Sequence, residues 1–167
     1  LGVFLMSFGC LNMLVGSLRM LGQRLLRRFL SFSSIAQTGY LMFGLGIGFT
    51  YDLPEAFSAG LFLFLVIGVM KSLAFLSGGI YEFHIGSQEI ERLLGIGHRM
   101  PWTALSFSTA LASLAGIPLL AGFTGKWMIF SAALRTGDLF AGICLAVFLL
   151  STVISLAGYL PLLVKQY

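Results

Sequence analysis

The chain has 167 residues, of which 58% are hydrophobic and 10% are charged, and its mean hydropathy is +0.99. This balance excludes an ordinary soluble domain and predicts one compact membrane-embedded bundle. The net charge of +4 indicates no nucleic-acid partner, because most charged residues lie in short connections between apolar segments, where they orient a protein in the lipid bilayer. Cys10 and Cys144 lie inside apolar segments without metal-like spacing, which predicts neither a disulfide nor a metal site.

Five apolar segments follow one another along the chain. The predicted spans are residues 2–22, 29–49, 57–81, 101–135 and 139–163. Each has enough residues to cross a hydrocarbon core of about 30 Å at about 1.5 Å per residue. The predicted fold class is therefore all-α, with about five transmembrane helices in a single bundle over residues 1–167. The sequence begins at Leu1 without an initiating methionine, so we expect a processed protein, a fragment or a partial sequence.

Hydroxyl and amide side chains are unusually dense in the second apolar segment. Ser31, Ser34 and Thr38 fall on one stripe at helical spacing, and Gln37 precedes Thr38 in the chain. We expect this stripe to face protein or water rather than lipid, because helical periodicity places its members on one side. Two interpretations remain open: these side chains line a hydrated path, or they form hydrogen bonds between helices.

The third apolar segment carries Lys71 at its centre. A lysine this deep cannot easily reach the membrane surface with its ammonium group. It therefore pairs with a carboxylate outside this chain or gives up its charge, and both states suit a proton relay. The alternative interpretation is a structural lysine that is bound to backbone carbonyl groups.

The fourth segment combines a proline, three glycines and a lysine within an apolar run. Pro118 lacks a backbone N–H and, together with Gly116, Gly122 and Gly125, predicts a break in the helix near the depth of Lys126. Residues 101–135 are too many for one straight span and too few for two spans with a turn. The sequence thus predicts a broken transmembrane helix with an ionisable group beside the break.

The distribution of loop charges distinguishes a crossing from a re-entrant hairpin in the fourth segment. If the segment crosses, the basic residues of two connections and the tail share one side: Arg19, Arg24, Arg27, Arg28, Arg92, Arg99 and Lys165. The opposite side then carries Arg135 with Asp52, Glu55 and Asp138. Because basic loops favour the cytoplasmic or matrix side, and a hairpin would move Lys165 to the acidic side, the charges favour five crossings.

Three stretches resemble a known family. Residues 27–40, RRFLSFSSIAQTGY, resemble the "KRLLAYSSIAHxGY" stretch of the antiporter-like membrane subunits of respiratory complex I. Residues 113–126 look like the "SLAGIPPxxGFxGK" signature of the same family. Residues 151–161 resemble a helix of its subunit 2 branch, which is called subunit N in bacteria. The resemblance covers nearly the whole chain and implies the C-terminal part of such a subunit.

The resemblance implies a five-helix repeat with a broken helix and buried lysines along a hydrated axis. It implies a proton-translocating subunit of NADH:ubiquinone oxidoreductase, in the mitochondrial inner membrane or the bacterial plasma membrane, without a redox site in this chain. Lys126 and Lys71 would transfer protons, with support from Ser31, Ser34, Gln37 and Thr38. Flavin, iron–sulfur clusters and quinone are expected elsewhere in the complex. The expected partners are the lipid bilayer and other membrane-arm subunits, including a chain that supplies the missing N-terminal helices.

Some positions depart from the family pattern and keep alternatives open. Gln37 stands where histidine is common, and Leu119 replaces the second proline of "GIPP". Lys71 is more typical of the subunit 5 branch and of multisubunit antiporters than of subunit 2. The alternatives are therefore a subunit of a multisubunit cation/proton antiporter or related hydrogenase, and a structural scaffold that transports nothing.

Overall fold

The computed structural model describes residues 1–167 as a bundle of α-helices without a β-strand. The helices are α1 (Gly2–Leu21), α2 (Leu26–Tyr51), α3 (Pro54–Ile85), α4 (Ile96–Arg99), α5 (Pro101–Ala115), α6 (Ala121–Arg135) and α7 (Leu139–Lys165), and a 3₁₀ turn spans Ile90–Leu93. The predicted all-helical fold class is confirmed. Both α2 and α3 extend beyond the predicted spans at each end.

Three of these helices, α1, α3 and α7, are long and apolar enough to cross a membrane by length and composition alone. Helix α2 has 26 residues, but its hydroxyl and amide side chains dilute its apolar character. Helices α5 and α6 have 15 residues each, so each rises only about 22 Å, less than a hydrocarbon core of about 30 Å. Length and composition thus identify fewer spans than the five that the sequence predicted.

The backbones of α1 and α2 pack against each other through glycines. A β-carbon added to Gly16 would lie 2.4 Å from the backbone nitrogen of Ala36, and one added to Gly39 would lie 2.6 Å from the carbonyl oxygen of Gly9. Such small-residue contacts bring two helices together by van der Waals packing when lipid removes the hydrophobic driving force. The α1–α2 pair therefore forms a tight unit on one side of the bundle.

Polar contacts join helix termini at the end of the bundle where α3 begins. The Arg135 guanidinium at the end of α6 donates to Glu55 at the start of α3 over 2.6 Å. The Tyr51 hydroxyl at the end of α2 donates to Asp138 over 2.6 Å, and the same carboxylate accepts backbone N–H groups of α7. The bond from Tyr51 is the main reason why the pKa of the Asp138 carboxyl lies below its ordinary value.

The opposite end of the bundle collects the start of α2, the ends of α3 and α7, and the first half of α5. Arg27 pairs with Glu82 at 2.7 Å, and the Tyr81 hydroxyl donates to Gln166 at 3.2 Å. Ser108 of α5 hydrogen-bonds to Tyr167 at 3.3 Å. Since α6 finishes at the other end beside Glu55, α5 and α6 together run the length of the bundle.

A layer of buried polar side chains separates the apolar core into two halves. One half contains Met20, Phe29 and Tyr81, and the other contains Met6 and Phe43. On the long helices α2, α3 and α7, the buried polar residues other than Ser77 lie in sequence between the two apolar groups. We call the following set the polar layer: Ser17, Ser33, Gln37, Lys71, Ser113, Lys126, Ser151 and Ser155. Both buried lysines belong to it, so they lie near the middle of the bundle.

Candidate functional site: two buried lysines in the polar layer

Helix α5 ends in a hydrogen-bonded turn that leaves two of its carbonyl groups free. Gly116 adopts φ +86° and donates its N–H to Ser113 O over 3.0 Å, while Ile117 donates to Ala112 O over 3.0 Å. This pair of bonds is the Schellman arrangement, and the positive φ explains the glycine. The carbonyl groups of Leu114 and Ala115 have no partner within the helix, because the helix stops there.

Lys126 of α6 binds these free carbonyl groups. Its ammonium nitrogen lies 3.1 Å from Leu114 O and 3.5 Å from Ala115 O. It also lies 4.4 Å from the centre of the Tyr40 ring, a distance at which a cation is attracted by the ring face. The side chain of Lys126 is 5% exposed. The ammonium is thus buried at the negative end of the α5 dipole.

The glycines predicted at the break lie where neighbouring groups leave no space. A β-carbon added to Gly122 would lie 1.8 Å from Ser113 O, and the Gly122 N–H donates to the Ser113 hydroxyl over 3.1 Å. A β-carbon on Gly125 would meet Leu63 of α3 at 3.0 Å. Pro118 lies in the five-residue connection of residues 116–120 between α5 and α6. These residues hold the start of α6 against the end of α5.

The connection contains one strained residue. Leu119 has φ +78° and its side chain is fully exposed. A left-handed backbone is uncommon for a residue with a β-carbon. It is also incompatible with proline, whose ring fixes φ near −65°. The absence of the family's second proline at this position therefore agrees with the backbone that the chain adopts.

Lys71 of α3 binds helix α2, which continues without a break past the contact, unlike the end of α5 that binds Lys126. Its ammonium donates to the Leu30 carbonyl oxygen over 2.9 Å and to the Ser33 hydroxyl over 2.5 Å, both in α2. The Ser33 hydroxyl also hydrogen-bonds to the Tyr159 hydroxyl of α7. Lys71 is 7% exposed. The Ser33 hydroxyl of α2 therefore connects Lys71 of α3 with Tyr159 of α7.

Two of the predicted lining residues share a carbonyl acceptor with a buried lysine, Gln37 with Lys126 and Ser34 with Lys71. Ser31 and Thr38 lie apart from both ammonium groups. The side-chain amide of Gln37 donates to Leu114 O over 2.8 Å, so it shares that carbonyl with Lys126. The hydroxyls of Ser31, Ser34 and Thr38 donate to carbonyl oxygens one turn back in α2. Ser31 and Thr38 lie on the outer surface of α2.

The remaining environment of the lysines contains no negative side chain. Neither lysine takes part in any of the three ion pairs of the chain. No group of histidine, cysteine, aspartate and glutamate side chains could hold a metal ion. Both ammonium groups are instead held by uncharged oxygens and, at Lys126, by an aromatic ring. A lysine held in this way can release its proton without breaking an ion pair.

Comparisons with known proteins assign this chain to a family. Residues 1–155 match the family described as "NADH:quinone oxidoreductase/Mrp antiporter, TM". NADH-quinone oxidoreductase subunit N of Geotalea uraniireducens is 38% identical over 157 residues, which cover 94% of this chain and 32% of that protein. The chain thus spans about a third of the length of the relative that it matches.

Two solved structures share the fold. A chain of the Mrp complex from Dietzia sp. DQ12-45-1b superposes with a TM-score of 0.86 at 29% identity, over 98% of this chain and 29% of that chain. A chain of respiratory complex I from Thermus thermophilus gives a TM-score of 0.86 at 23% identity, over 99% of this chain and 34% of that chain. The match over residues 1–155 shows that this chain belongs to the NADH:quinone oxidoreductase/Mrp antiporter transmembrane family.

Proposed function

We propose that this chain is a proton-translocating part of the membrane arm of an NADH:quinone oxidoreductase, in which Lys126 and Lys71 gain and lose protons. The observation that carries the proposal is the burial of the Lys126 ammonium against carbonyl oxygens and a ring, without a carboxylate. Ionisable groups inside a membrane are expensive and usually serve ion or proton pathways. A charge change elsewhere in the complex would bias the protonation of a group that has no counter-charge of its own.

The proposal includes one interrupted crossing formed by α5 and α6. Neither helix is long enough to cross alone, whereas α5 begins at one end of the bundle and α6 finishes at the other. The break between them then lies at mid-depth, beside Lys126. With α1, α2, α3 and α7 this gives five crossings, and the basic connections lie on the matrix or cytoplasmic side.

The rest of the pathway is proposed to lie on other segments or chains. Relatives of full length contain about three times as many residues as this chain, so other helices are expected to supply the inlet for protons. Flavin, iron–sulfur clusters and quinone are expected in other subunits. The location is a respiratory membrane, which is the inner membrane in mitochondria and the plasma membrane in bacteria.

Replacement of Lys126 by alanine in the assembled complex tests the proposal. We expect the purified variant complex in proteoliposomes to oxidise NADH but to take up protons at least several-fold more slowly per NADH, as measured by quenching of a pH-sensitive dye. Lys165→Ala is the matched control, because this lysine lies at the end of α7 outside the polar layer, and it should leave proton uptake unchanged. Normal uptake by an assembled Lys126→Ala complex would overturn the proposal.

A second candidate function is a subunit of a cation/proton antiporter or a related hydrogenase. The similarity to a chain of the Mrp complex and the presence of Lys71 favour it. Absorbance of the purified complex separates the two, because the oxidoreductase contains flavin and iron–sulfur clusters. A complex without these absorbances that exchanges cations for protons supports the antiporter. A scaffold role predicts instead that removal of both lysines leaves transport unchanged.

A further inference from the structure

We propose that Ser33 and Tyr159 relay protons between Lys71 and the region around Lys126. The connection between the two lysines then runs through the contact of α2 with α7, and the outer stripe of α2 has no part in it. This inference rests on the proposed function and names the side chains that would join its two proton carriers.

The first half of the connection consists of contacts between side chains. The Lys71 ammonium donates to the Ser33 hydroxyl, and that hydroxyl hydrogen-bonds to the Tyr159 hydroxyl. Ser33 is 0% exposed and Tyr159 is 1% exposed. A hydroxyl can accept one hydrogen bond while it donates another, as proton transfer through it requires. The Tyr159 ring packs edge-on against Phe29 with 5.6 Å between the ring centres, which fixes its hydroxyl.

The second half leads from Tyr159 to Lys126 along the inner face of α7. Ser155 lies one helical turn before Tyr159, is buried, and makes no hydrogen bond within the chain. It lies close to the hydroxyl of Tyr40, whose ring lies under the Lys126 ammonium. Buried hydroxyls are almost always satisfied by protein or by ordered water. We therefore assign to Ser155 a bound water molecule that continues the relay.

Gln37 contacts groups in both halves of the connection between Lys71 and Lys126. Its amide lies close to the Tyr159 hydroxyl and donates to Leu114 O, the carbonyl that also binds Lys126. An amide is a poor proton carrier, so we assign to Gln37 the positioning of the Tyr159 phenol and of the Leu114 carbonyl group. Gln37 is thus a positioning residue, and the hydroxyls of Ser33 and Tyr159 are the relay groups.

The proton transfers balance without an electron donor or acceptor. The Lys71 ammonium passes a proton to the Ser33 oxygen while the proton of Ser33 moves to the Tyr159 oxygen. The phenol proton of Tyr159 passes to the water at Ser155, and that water releases a proton into the region around neutral Lys126, which takes up one proton. Each step breaks one N–H or O–H bond and forms another. The net result is one positive charge moved from Lys71 to Lys126, with both hydroxyls and the water unchanged.

The outer stripe of α2 does not offer this connection. The hydroxyls of Ser31, Ser34 and Thr38 donate to carbonyl groups of their own helix. Ser31 lines a surface cavity of about 300 Å³ between α2 and α3, and no residue of α7 lines it. Ser34 shares the Leu30 carbonyl oxygen with Lys71, but a carbonyl oxygen only accepts hydrogen bonds and passes no proton on. None of the three hydroxyls contacts either ammonium group, so a path through them would not lead from Lys71 to Lys126.

The test replaces Tyr159 by phenylalanine, which removes one oxygen and keeps the ring that packs on Phe29. In the assembled complex we expect NADH-driven proton uptake to fall at least about tenfold, because positioned proton carriers contribute about 10² to 10⁴ in rate. Tyr81→Phe is the matched control. Tyr81 is also fully buried, but its hydroxyl binds Gln166 at the end of the bundle, so its removal should leave uptake unchanged.

A second variant keeps the result interpretable if the phenylalanine variant does not assemble. Incorporation of 3-fluorotyrosine at position 159 retains the hydroxyl and nearly the same size but makes the phenol more acidic. A relay predicts that the rate of proton uptake changes, because the rate of proton transfer depends on the acidity of the carrier, whereas a purely structural hydroxyl predicts no change. An unchanged rate would overturn the relay.

The outcomes separate the relay from the proposed function. If Lys126→Ala abolishes proton uptake while Tyr159→Phe leaves it normal, the relay is wrong and the function stands. If Lys126→Ala has no effect in an assembled complex, the function itself is wrong. Equal losses in the Tyr159→Phe and Tyr81→Phe complexes would show a general packing effect and would also contradict the relay.

Discussion

Lys126 and Lys71 are buried in two regions that hold an ammonium group in different ways. Lys126 lies at the end of α5, where the helix stops and leaves the Leu114 and Ala115 carbonyl groups free. Lys71 lies against the continuous helix α2, where its acceptor Leu30 O already accepts a bond from Ser34. The second partner of Lys71 is therefore a side chain, the hydroxyl of Ser33.

The difference shows which part of the chain each lysine depends on. At the break, the acceptors are backbone atoms, so the shape of residues 112–126 holds Lys126. Against the unbroken helix, few carbonyl lone pairs are available, so one serine hydroxyl holds Lys71. The break region should be sensitive to added volume, and the Lys71 region should be sensitive to the loss of one oxygen. Substitutions in each region separate these two dependencies.

Gly122→Ala should have the largest effect, because it adds volume at the break. The new β-carbon would lie 1.8 Å from Ser113 O, so α6 must move away from α5 and from the carbonyl groups that bind Lys126. We expect a destabilisation of about 3 kcal/mol, at the upper part of the range for overpacked sites. Thermal unfolding of the detergent-solubilised complex, followed by fluorescence-detected size exclusion, measures it.

Gly142→Ala is the matched control for this substitution. Nothing lies within 4 Å of a β-carbon added to Gly142 in α7, so the same change in backbone entropy and volume should be tolerated there. Equal melting temperatures for the two variants would show that the approach of α6 to Ser113 is looser than the structure indicates. The dependence of Lys126 on backbone shape would then be wrong.

The sequence predicted the components of the break but missed a central contact of Lys71. Pro118, the glycines and Lys126 lie within a few residues of one another, so local chemistry predicts that they act together. The contact of Ser33 with Tyr159 joins residues 126 positions apart, and no periodic pattern contains it. The stripe of Ser31, Ser34 and Thr38 includes the exposed Ser31 and leaves out Ser33, which shares the buried face of α2 with Gln37 four residues later.

Composition alone also could not predict the number of membrane crossings. Ser33 and Gln37 of helix α2 bind neighbouring helices, while its other serine and threonine hydroxyls bind carbonyl groups of α2 itself, so its low hydropathy does not tell whether lipid or protein surrounds it. The all-helical membrane fold and the family were predictable, because a high apolar content and the lysine-bearing signature are properties of short stretches. Which polar atoms meet across the bundle depended on how the helices pack.

Ser33→Ala tests the second dependency and should have an intermediate effect. It removes one of the two hydrogen-bond acceptors of Lys71 and leaves the Tyr159 hydroxyl without its partner. We expect a destabilisation of about 1–3 kcal/mol, the range for buried groups left unsatisfied, together with slower proton uptake. Ser31→Ala is the control on the same helix, because its hydroxyl is exposed and should contribute less than about 0.5 kcal/mol.

The two readouts distinguish the possible results of the Ser33 experiment. A loss of stability with normal proton uptake would show that Ser33 holds Lys71 in place but carries no proton. Normal stability and normal uptake would contradict the view that the Lys71 ammonium depends on a side-chain hydroxyl. The first result would contradict the relay alone, whereas the second would remove the contrast between the two lysine regions.

Leu119→Gly should have the smallest effect and acts on the break alone. The left-handed backbone of Leu119 is disfavoured by about 1–2 kcal/mol for a residue with a β-carbon, and glycine removes this strain. The greater freedom of glycine in the unfolded chain offsets about 0.5–1 kcal/mol of the gain, so we expect a melting temperature that is unchanged or slightly higher. Leu119→Pro should lower the melting temperature, because the proline ring fixes φ near −65° and cannot adopt φ +78°. A higher melting temperature for the proline variant would show that the connection between α5 and α6 has another backbone conformation. The assignment of the free carbonyl groups to Lys126 would then be wrong.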